Sequence, residues 1–185
     1  MFVRTQRLTL RPGWREDAAE LAHAMGHEEV VRNLARAPWP YTIEAAETFA
    51  ASFEESSEPK FLIFEHRDRR LRLIGGIGIG PFDKEPNELG YWLTPDAWGR
   101  GYATEAGAAV LRAARAAGIR HVVAGHYLDN PASGRVLRKL GFRPTGRVTQ
   151  VYSRGRGAAV PSARFELDLT GGGVIDHDPR HRMAA

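Results

Sequence analysis

The run from Glu88 to Ala117, ELGYWLTPDAWGRGYATEAGAAVLRAARAA, constrains the fold more than any other part of the chain. Glu88 to Leu93 is rich in aromatic and branched residues and reads as a strand. Thr94 to Arg100 is a turn punctuated by Pro95 and Gly99. From Gly101 an alanine-rich helix runs to Ala117, and Gly118 is its natural stop. The first N–H groups of a helix have no partner inside it, and the helix dipole adds partial positive charge there. Gly99 and Gly101 carry no Cβ, so a ligand can approach the backbone closely. The stretch therefore predicts an anion site, with a pyrophosphate seated against the N–H groups of about Gly99 to Thr104. The alternative is a glycine-rich turn that holds no ligand.

Two common phosphate motifs are absent. The chain has no GxxxxGK(S/T), and its glycine-rich run LRLIGGIGIG is not a GxGxxG because Pro81 occupies the sixth place. Instead, Trp98-Gly99-Arg100-Gly101-Tyr102-Ala103 resembles the motif Gln/Arg-x-x-Gly-x-Gly/Ala of the GNAT superfamily of acyl-CoA N-acyltransferases, except that Trp98 stands at its first position. The form WGxGYATEA is similar to the branch that includes ribosomal-protein N-terminal acetyltransferases of the RimJ/RimL type. Two further stretches resemble the same branch. One is the opening TQRLTLRP; the other is DNPASGRVLRKLGF, an NxxSxxxLxxxGF pattern at the expected distance. The resemblance covers about residues 3 to 169.

Read along the chain, Arg4 to Pro12 alternates with period two and predicts a strand. A first helix runs through Met25 with Ala18, Leu21, Ala22 and Met25 on its apolar face. A short helical segment covers about His27 to Leu34. Pro38 and Pro40 bracket Trp39 in a loop that also carries Tyr41. Thr42 caps a further helix to about Glu55. Lys60–Glu65 and Leu71–Gly80 are paired strands, with Gly76, Gly78 and Gly80 on one face of the second and Ile77 and Ile79 on the other. After the central helix come a strand at Ile119–His126, a helix capped by Asp129 or Asn130, and strands at about Gly146–Tyr152 and Ala163–Leu169. SRGRGAAVPS reads as a glycine-rich loop between the last two. The fold class is mixed α/β in a single domain spanning residues 1–170. The tail, 171–185, lacks periodicity and is expected to be mobile. His177 and His181 lie four apart in it, but the intervening Pro179 argues against a metal helix, so no metal is expected.

Composition narrows the function classes. The chain of 185 residues has no cysteine, which excludes disulfides and a covalent cysteine intermediate. No apolar run reaches membrane-span length, and the N-terminus lacks a signal-peptide core, so a cytoplasmic protein is expected. The net charge of +4 is spread along the chain, which makes nucleic-acid binding an unfavoured reading. Homodimerisation is compatible with the sequence but not read from it.

The resemblance implies more. In that fold the sheet is mixed and mostly antiparallel, and two central parallel strands, here Glu88–Leu93 and Ile119–His126, splay into a V. Acetyl-CoA is the implied cosubstrate. Its pantetheine enters the V and pairs with the free backbone of the central strand, near Trp92 and Leu93. The residues implied to bind it are Trp98, Gly99, Arg100, Gly101, Tyr102, Ala103 and Thr104, together with Asn130, Ser133 and Arg138. The acceptor is an amine, on a small molecule or a peptide N-terminus, bordered by Trp39 and Tyr41. Direct attack needs a proton acceptor, and Glu88 is the first candidate, as a buried carboxylate of raised pKa. His126 is the second, if register turns it to the cleft. Each has a structural alternative, a Glu–Arg pair and a satisfied histidine. Ser133 is the candidate donor to the departing thiolate, or a hydrogen-bonding group for pantetheine. The tyrosine that many relatives carry seven residues after the motif Asn is Leu137 here. A binding module that retains the cradle without chemistry is the competing class.

Overall fold

The computed structural model describes residues 2–54, 58–67 and 70–171. The elements in order are β1 (Val3–Arg4), β2 (Leu8–Arg11), a 3-10 turn (Arg15–Asp17), α1 (Ala18–Met25), α2 (Glu28–Val31), α3 (Ile43–Ala51), β3 (Lys60–Arg67), β4 (Arg70–Phe82) and β5 (Glu85–Leu93). They continue with a second 3-10 turn (Pro95–Ala97), α4 (Tyr102–Ala116), β6 (His121–Tyr127), α5 (Pro131–Lys139), β7 (Arg143–Ser153) and β8 (Ala158–Asp168). The strands form one eight-stranded sheet in the order β1-β2-β3-β4-β5-β6-β8-β7. All neighbours are antiparallel except β5 and β6, the pair connected through α4. A parallel pair requires such a crossover, and here it brings the N-terminus of α4 beside the C-terminal end of β5. The mixed, mostly antiparallel α/β architecture is the one the sequence implies. The expected tail beyond Gly171, with His177 and His181, lies outside the described residues.

Strand alternation divides the core in two. On one face Leu8, Leu10, Ile63, Ile77, Ile79, Leu89 and Leu93 pack against Ala106, Val110 and Leu111 of α4 and Leu137 of α5. On the other, Leu62, Phe64, Leu73 and Trp92 pack against Leu21, Met25, Val31 and Ala46 of the first three helices. Each such fully buried leucine contributes roughly 1.5–3 kcal/mol relative to exposure. The indole of Trp92 lies over Gly76, its cross-strand partner, where a Cβ would stand 2.6 Å from Nε1. That is what the glycine face of β4 accommodates.

A buried ion pair locks the start of the domain. Arg11 donates to both carboxylate oxygens of Asp17 at 2.7 and 2.6 Å, and its guanidinium lies 3.8 Å from the Trp14 ring centre and 4.2 Å from that of Phe64. Asp17 also accepts from the Trp14 N–H at 2.8 Å. Burial pushes the Asp17 carboxyl upward, but the Arg11 and Trp14 donors outweigh it and hold the group below its ordinary value.

Several boundaries differ from the sequence reading. The second helix is a single turn ending at Val31, and the third ends at Ala51. The stretch read as a loop before Ala163 is largely strand, because Val160 and Ser162 continue the ladder opposite Val151 and Thr149. Cross-strand pairing overrides the turn chemistry of Gly155, Gly157 and Pro161 there, and only 154–157 remain as the turn.

Candidate functional site

The cradle at the start of α4 is built from two left-handed glycines. Gly99 has φ 71° and Gly101 has φ 81°, a region that residues with a Cβ enter at a cost. Gly101 is the helix N-cap and supplies no side chain to cap the first turn, so the initial N–H groups face outward. A Cβ placed at Gly99 would meet nothing within 4 Å, which leaves its surface open to a ligand. Trp98, the departure from the family motif, has a structural role: its indole N–H donates to the Leu93 carbonyl at 2.9 Å and ties the turn to the strand end. Tyr102 and Ala103 are buried, so they face the cradle with backbone, and Thr104 is half-buried.

Residues 5–7 brace the cradle from below. Glu105 accepts from the Thr5 hydroxyl at 2.6 Å, the Arg7 N–H at 3.0 Å and Arg7 Nε at 2.7 Å. Arg7 Nη1 also donates to the Arg100 carbonyl at 3.0 Å. Burial acts to raise the Glu105 pKa, and the Thr5 and Arg7 donors more than offset it, leaving it lowered. Arg7 and Arg100 flank the Tyr102 ring at 4.5 and 4.9 Å, and Arg100 pairs with Glu65 at 3.1 Å. The Tyr102 hydroxyl donates to the same Glu65 carboxylate. Outward N–H groups and the open Gly99 make a surface that fits a pyrophosphate, with Arg7, paired to Glu105, and Arg100, paired to Glu65, beside it.

The opening next to it is equally explicit. Pairing of β5 with β6 is confined to Glu88–Val123 and Leu89–Ala124. Thr94 N–H donates to Ile74 of β4 at 2.8 Å. Backbone groups alternate sides along a strand, so the N–H groups of Tyr91 and Leu93 point the other way, to the β6 side and beyond its last paired residue. An extended ligand chain has backbone to pair with there.

The two faces of β5 carry different chemistry. Glu88, Gly90 and Trp92 share the face of α1–α3. Glu88 accepts two hydrogen bonds from Arg164, at 3.2 and 2.5 Å, with both side chains largely buried. Arg164 reaches across Gly125, its register partner on β6, where a Cβ would lie 2.6 Å from Nη1. A glycine at that position is what lets the pair form. Glu88 is thus an ion-paired carboxylate, the Glu–Arg pair that the sequence reading held beside the role of proton acceptor. A carboxylate has about four lone-pair sites, of which Arg164 occupies two.

Tyr91, Ser133, His126 and Arg138 occupy the opposite face. His126 lies 5.5 Å from the Phe165 ring, and its Nδ1 is 2.8 Å from the Tyr127 carbonyl. That contact makes Nδ1 the protonated nitrogen and leaves Nε2 against Gly134 of α5. Register therefore turns His126 toward α5, and the structure does not bring it together with Glu88. Asn130 caps α5, its Oδ1 accepting from the Ser133 N–H at 3.3 Å. The Ser133 hydroxyl lies 2.7 Å from that of Tyr91. Arg138 donates to the Gly134 carbonyl at 3.2 Å and stacks 5.3 Å from Phe165, so its guanidinium is engaged on α5 rather than at the cradle.

Above the Glu88 face, the β7–β8 turn is docked onto the segment after α2. Ser153 Oγ donates to Leu34 at 3.0 Å, Arg154 N–H to Ala35 at 2.9 Å and Arg156 Nε to Arg32 at 2.6 Å. Arg156 also grips Asp129 with bonds of 2.7 and 3.1 Å. Trp39 is 41% exposed in the neighbouring loop, whereas Tyr41 packs into the core of that face, where burial pushes its phenol up to about 12. Sequence reasoning missed Arg164, Gly125, Tyr91, Arg7 and Glu105. A glycine inside the strand HVVAGHY was the one available signal, for Gly125.

Comparison with known proteins agrees with this geometry. A family model described as an acetyltransferase (GNAT) domain matches residues 7–143. The uncharacterized N-acetyltransferase YoaA of Bacillus subtilis is 31% identical over 161 residues, covering 83% of this chain and 90% of that protein. The crystal structure of the ribosomal-protein-S5-alanine acetyltransferase of Vibrio fischeri aligns with a TM-score of 0.72 at 15% identity, over 91% of this chain and 96% of that one. The microcin C7 self-immunity acetyltransferase MccE, solved with acetyl-CoA and AMP, aligns with a TM-score of 0.70 at 18% identity, over 89% and 94% of the two chains. At those identities the structures share the fold, and they include proteins of the RimJ/RimL type. With the cradle, the splayed strands and this sequence match together, the chain belongs to the GNAT acetyltransferase family, whose members are acyl-CoA-dependent acyltransferases.

Proposed function

We propose that this protein transfers the acetyl group of acetyl-CoA directly to a primary amine, with both substrates bound at once. The observation that carries the reading is the β5–β6 opening, which has the anion cradle at one end and polar groups on both faces. Acetyl-CoA supplies the activated thioester when bound. The backbone N–H groups from Gly99 to Thr104, with Arg7 and Arg100 beside them, hold the pyrophosphate. The Tyr91 and Leu93 N–H groups face the opening, where a donor meets the charge that develops on the carbonyl oxygen.

On the α1–α3 face, Glu88 accepts the proton of the amine, directly or through water. An ammonium has no lone pair, so the acceptor must lose a proton before or during attack. Arg164 holds the carboxylate in place while leaving it free lone pairs. On the α5 face, Ser133 meets the departing sulfur, and Asn130 fixes the helix turn that presents it. His126 has no part in the amine's deprotonation, since it faces α5. Trp39, exposed beside the docked β7–β8 turn, borders the acceptor. A structural neighbour named as a ribosomal-protein-S5-alanine acetyltransferase supports a peptide amine in that place, and a small amine is the other class the reading admits.

The test is thiol release from acetyl-CoA by the intact protein against a panel of peptide N-termini and small amines. Amine-dependent release, with an acetylated product by mass, is expected for at least one class. Acetyl-CoA binding without turnover on any of them would favour the binding-module reading instead.

A further inference from the structure

Ser133 does not act alone. Its Oγ is 2.7 Å from the Tyr91 hydroxyl, whose other acceptor, the Ser133 carbonyl, is farther away at 3.4 Å, so Oγ is the better-placed acceptor for the phenolic proton. Tyr91 sits on β5 at the point where pairing with β6 has ended, and its ring packs against the core under α4 and α5. Ser133 is in the first turn of α5, with its N–H tied to Asn130. The two hydroxyls therefore meet beside the opening, each anchored by a different element. A hydroxyl carries one proton, so the direction of this bond decides which oxygen has its proton to spare. A phenol is a stronger acid than an alcohol and hence the preferred donor of the pair.

We propose that Tyr91 is a positioning residue that donates to Ser133 Oγ and so turns the Ser133 proton toward the sulfur of bound CoA. This rests on the acetyltransferase reading above. When the tetrahedral intermediate collapses, the C–S bond breaks and its electron pair goes to sulfur. The Ser133 O–H donates a hydrogen bond to that thiolate, and the Tyr91 bond polarises it. No proton needs to leave Tyr91. Burial raises its pKa to about 12, well above that of a thiol, so it stays protonated while the thiolate forms. Its role is that of a fixed donor, and a chain of two hydroxyls strengthens the terminal bond.

Bound CoA provides a readout that does not depend on turnover. The thiolate of CoA absorbs in the ultraviolet, so the thiol pKa can be titrated on the enzyme, and calorimetry can compare CoA with desulfo-CoA. In the wild type the bound thiol is expected to titrate about one unit below free CoA. Tyr91→Phe keeps the ring and its packing. It should move the thiol pKa back toward the free value and shrink the preference for CoA over desulfo-CoA several-fold. Ser133→Ala should do the same, and Tyr91→Phe should have no further effect on that background. A thiol pKa unchanged by Tyr91→Phe, or shifted equally with and without Ser133, would overturn the arrangement. Failure of the folded wild type to bind CoA would instead overturn the acyl-CoA reading on which it rests.

Discussion

Glu88→Gln is expected to lower kcat by about 10²- to 10⁴-fold, the range for removing a general base. The affinity for acetyl-CoA should stay within about twofold, because a residue that works only in the chemical step leaves ground-state binding alone. Glutamine keeps the shape and one acceptor for Arg164 but loses the charge that accepts a proton. The structural alternative makes the opposite forecast. If Glu88 serves only to balance Arg164, the folded fraction keeps its rate. The loss of the charge opposite a largely buried guanidinium costs stability, of order 3–5 kcal/mol, under either reading. Steady-state kinetics together with a thermal melt on one preparation separates the two.

The second large effect is on stability. Asp17→Asn should destabilise the protein by about 3–5 kcal/mol, since it strands the Arg11 guanidinium between Trp14 and Phe64 with its counter-charge removed. The pH dependence follows from the direction of the shift. The Asp17 carboxyl titrates lower in the folded state than in the unfolded one. Its contribution is thus fully present above the unfolded value of about 4 and is lost as pH falls through the lower, folded value. Urea unfolding of wild type and variant should differ most near neutrality and converge in acid. An equal gap at every pH would assign the loss to packing rather than to the charge pair.

Why the glycine turn before α4 was legible and the side-chain contacts around it were not comes down to sequence separation. Gly99, Gly101 and the alanine helix act within one turn of each other, so their roles are local and can be read from the string. Asn130 and Ser133 are likewise neighbours on one helix turn. Glu88 was visible as a carboxylate on the central strand, but Arg164 comes from β8 and reaches it only because Gly125 leaves its path clear. No periodicity announces a contact made across two strands. His126 shows the same limit from another side. A strand reading fixes that alternate residues share a face but not which face, and register puts His126 with Ala124 and Phe165. The longer β7 and β8 also depended on pairing partners, which outweighed local turn residues.

The Trp98 position illustrates a different point. A departure from a family motif invites a functional explanation, yet the indole N–H bonded to Leu93 supplies a structural one. The turn must be held against the strand end if the Gly99 and Gly101 amides are to face one ligand together.

The most direct measurement is calorimetric titration of acetyl-CoA into the wild type and into Gly101→Val. Valine is β-branched and is strained at φ 81°, and its Cβ would stand 3.5 Å from Arg7 Nη2, beside the cradle. Micromolar binding by the wild type, weakened about tenfold or more in a Gly101→Val protein that remains folded, is the expected result, since relief of the strain moves the turn away from the geometry that aims its N–H groups at one ligand, and a tenfold loss is about 1.4 kcal/mol. Equal affinity of the two proteins would contradict the phosphate cradle, and absence of binding by the folded wild type would contradict the acetyltransferase account itself.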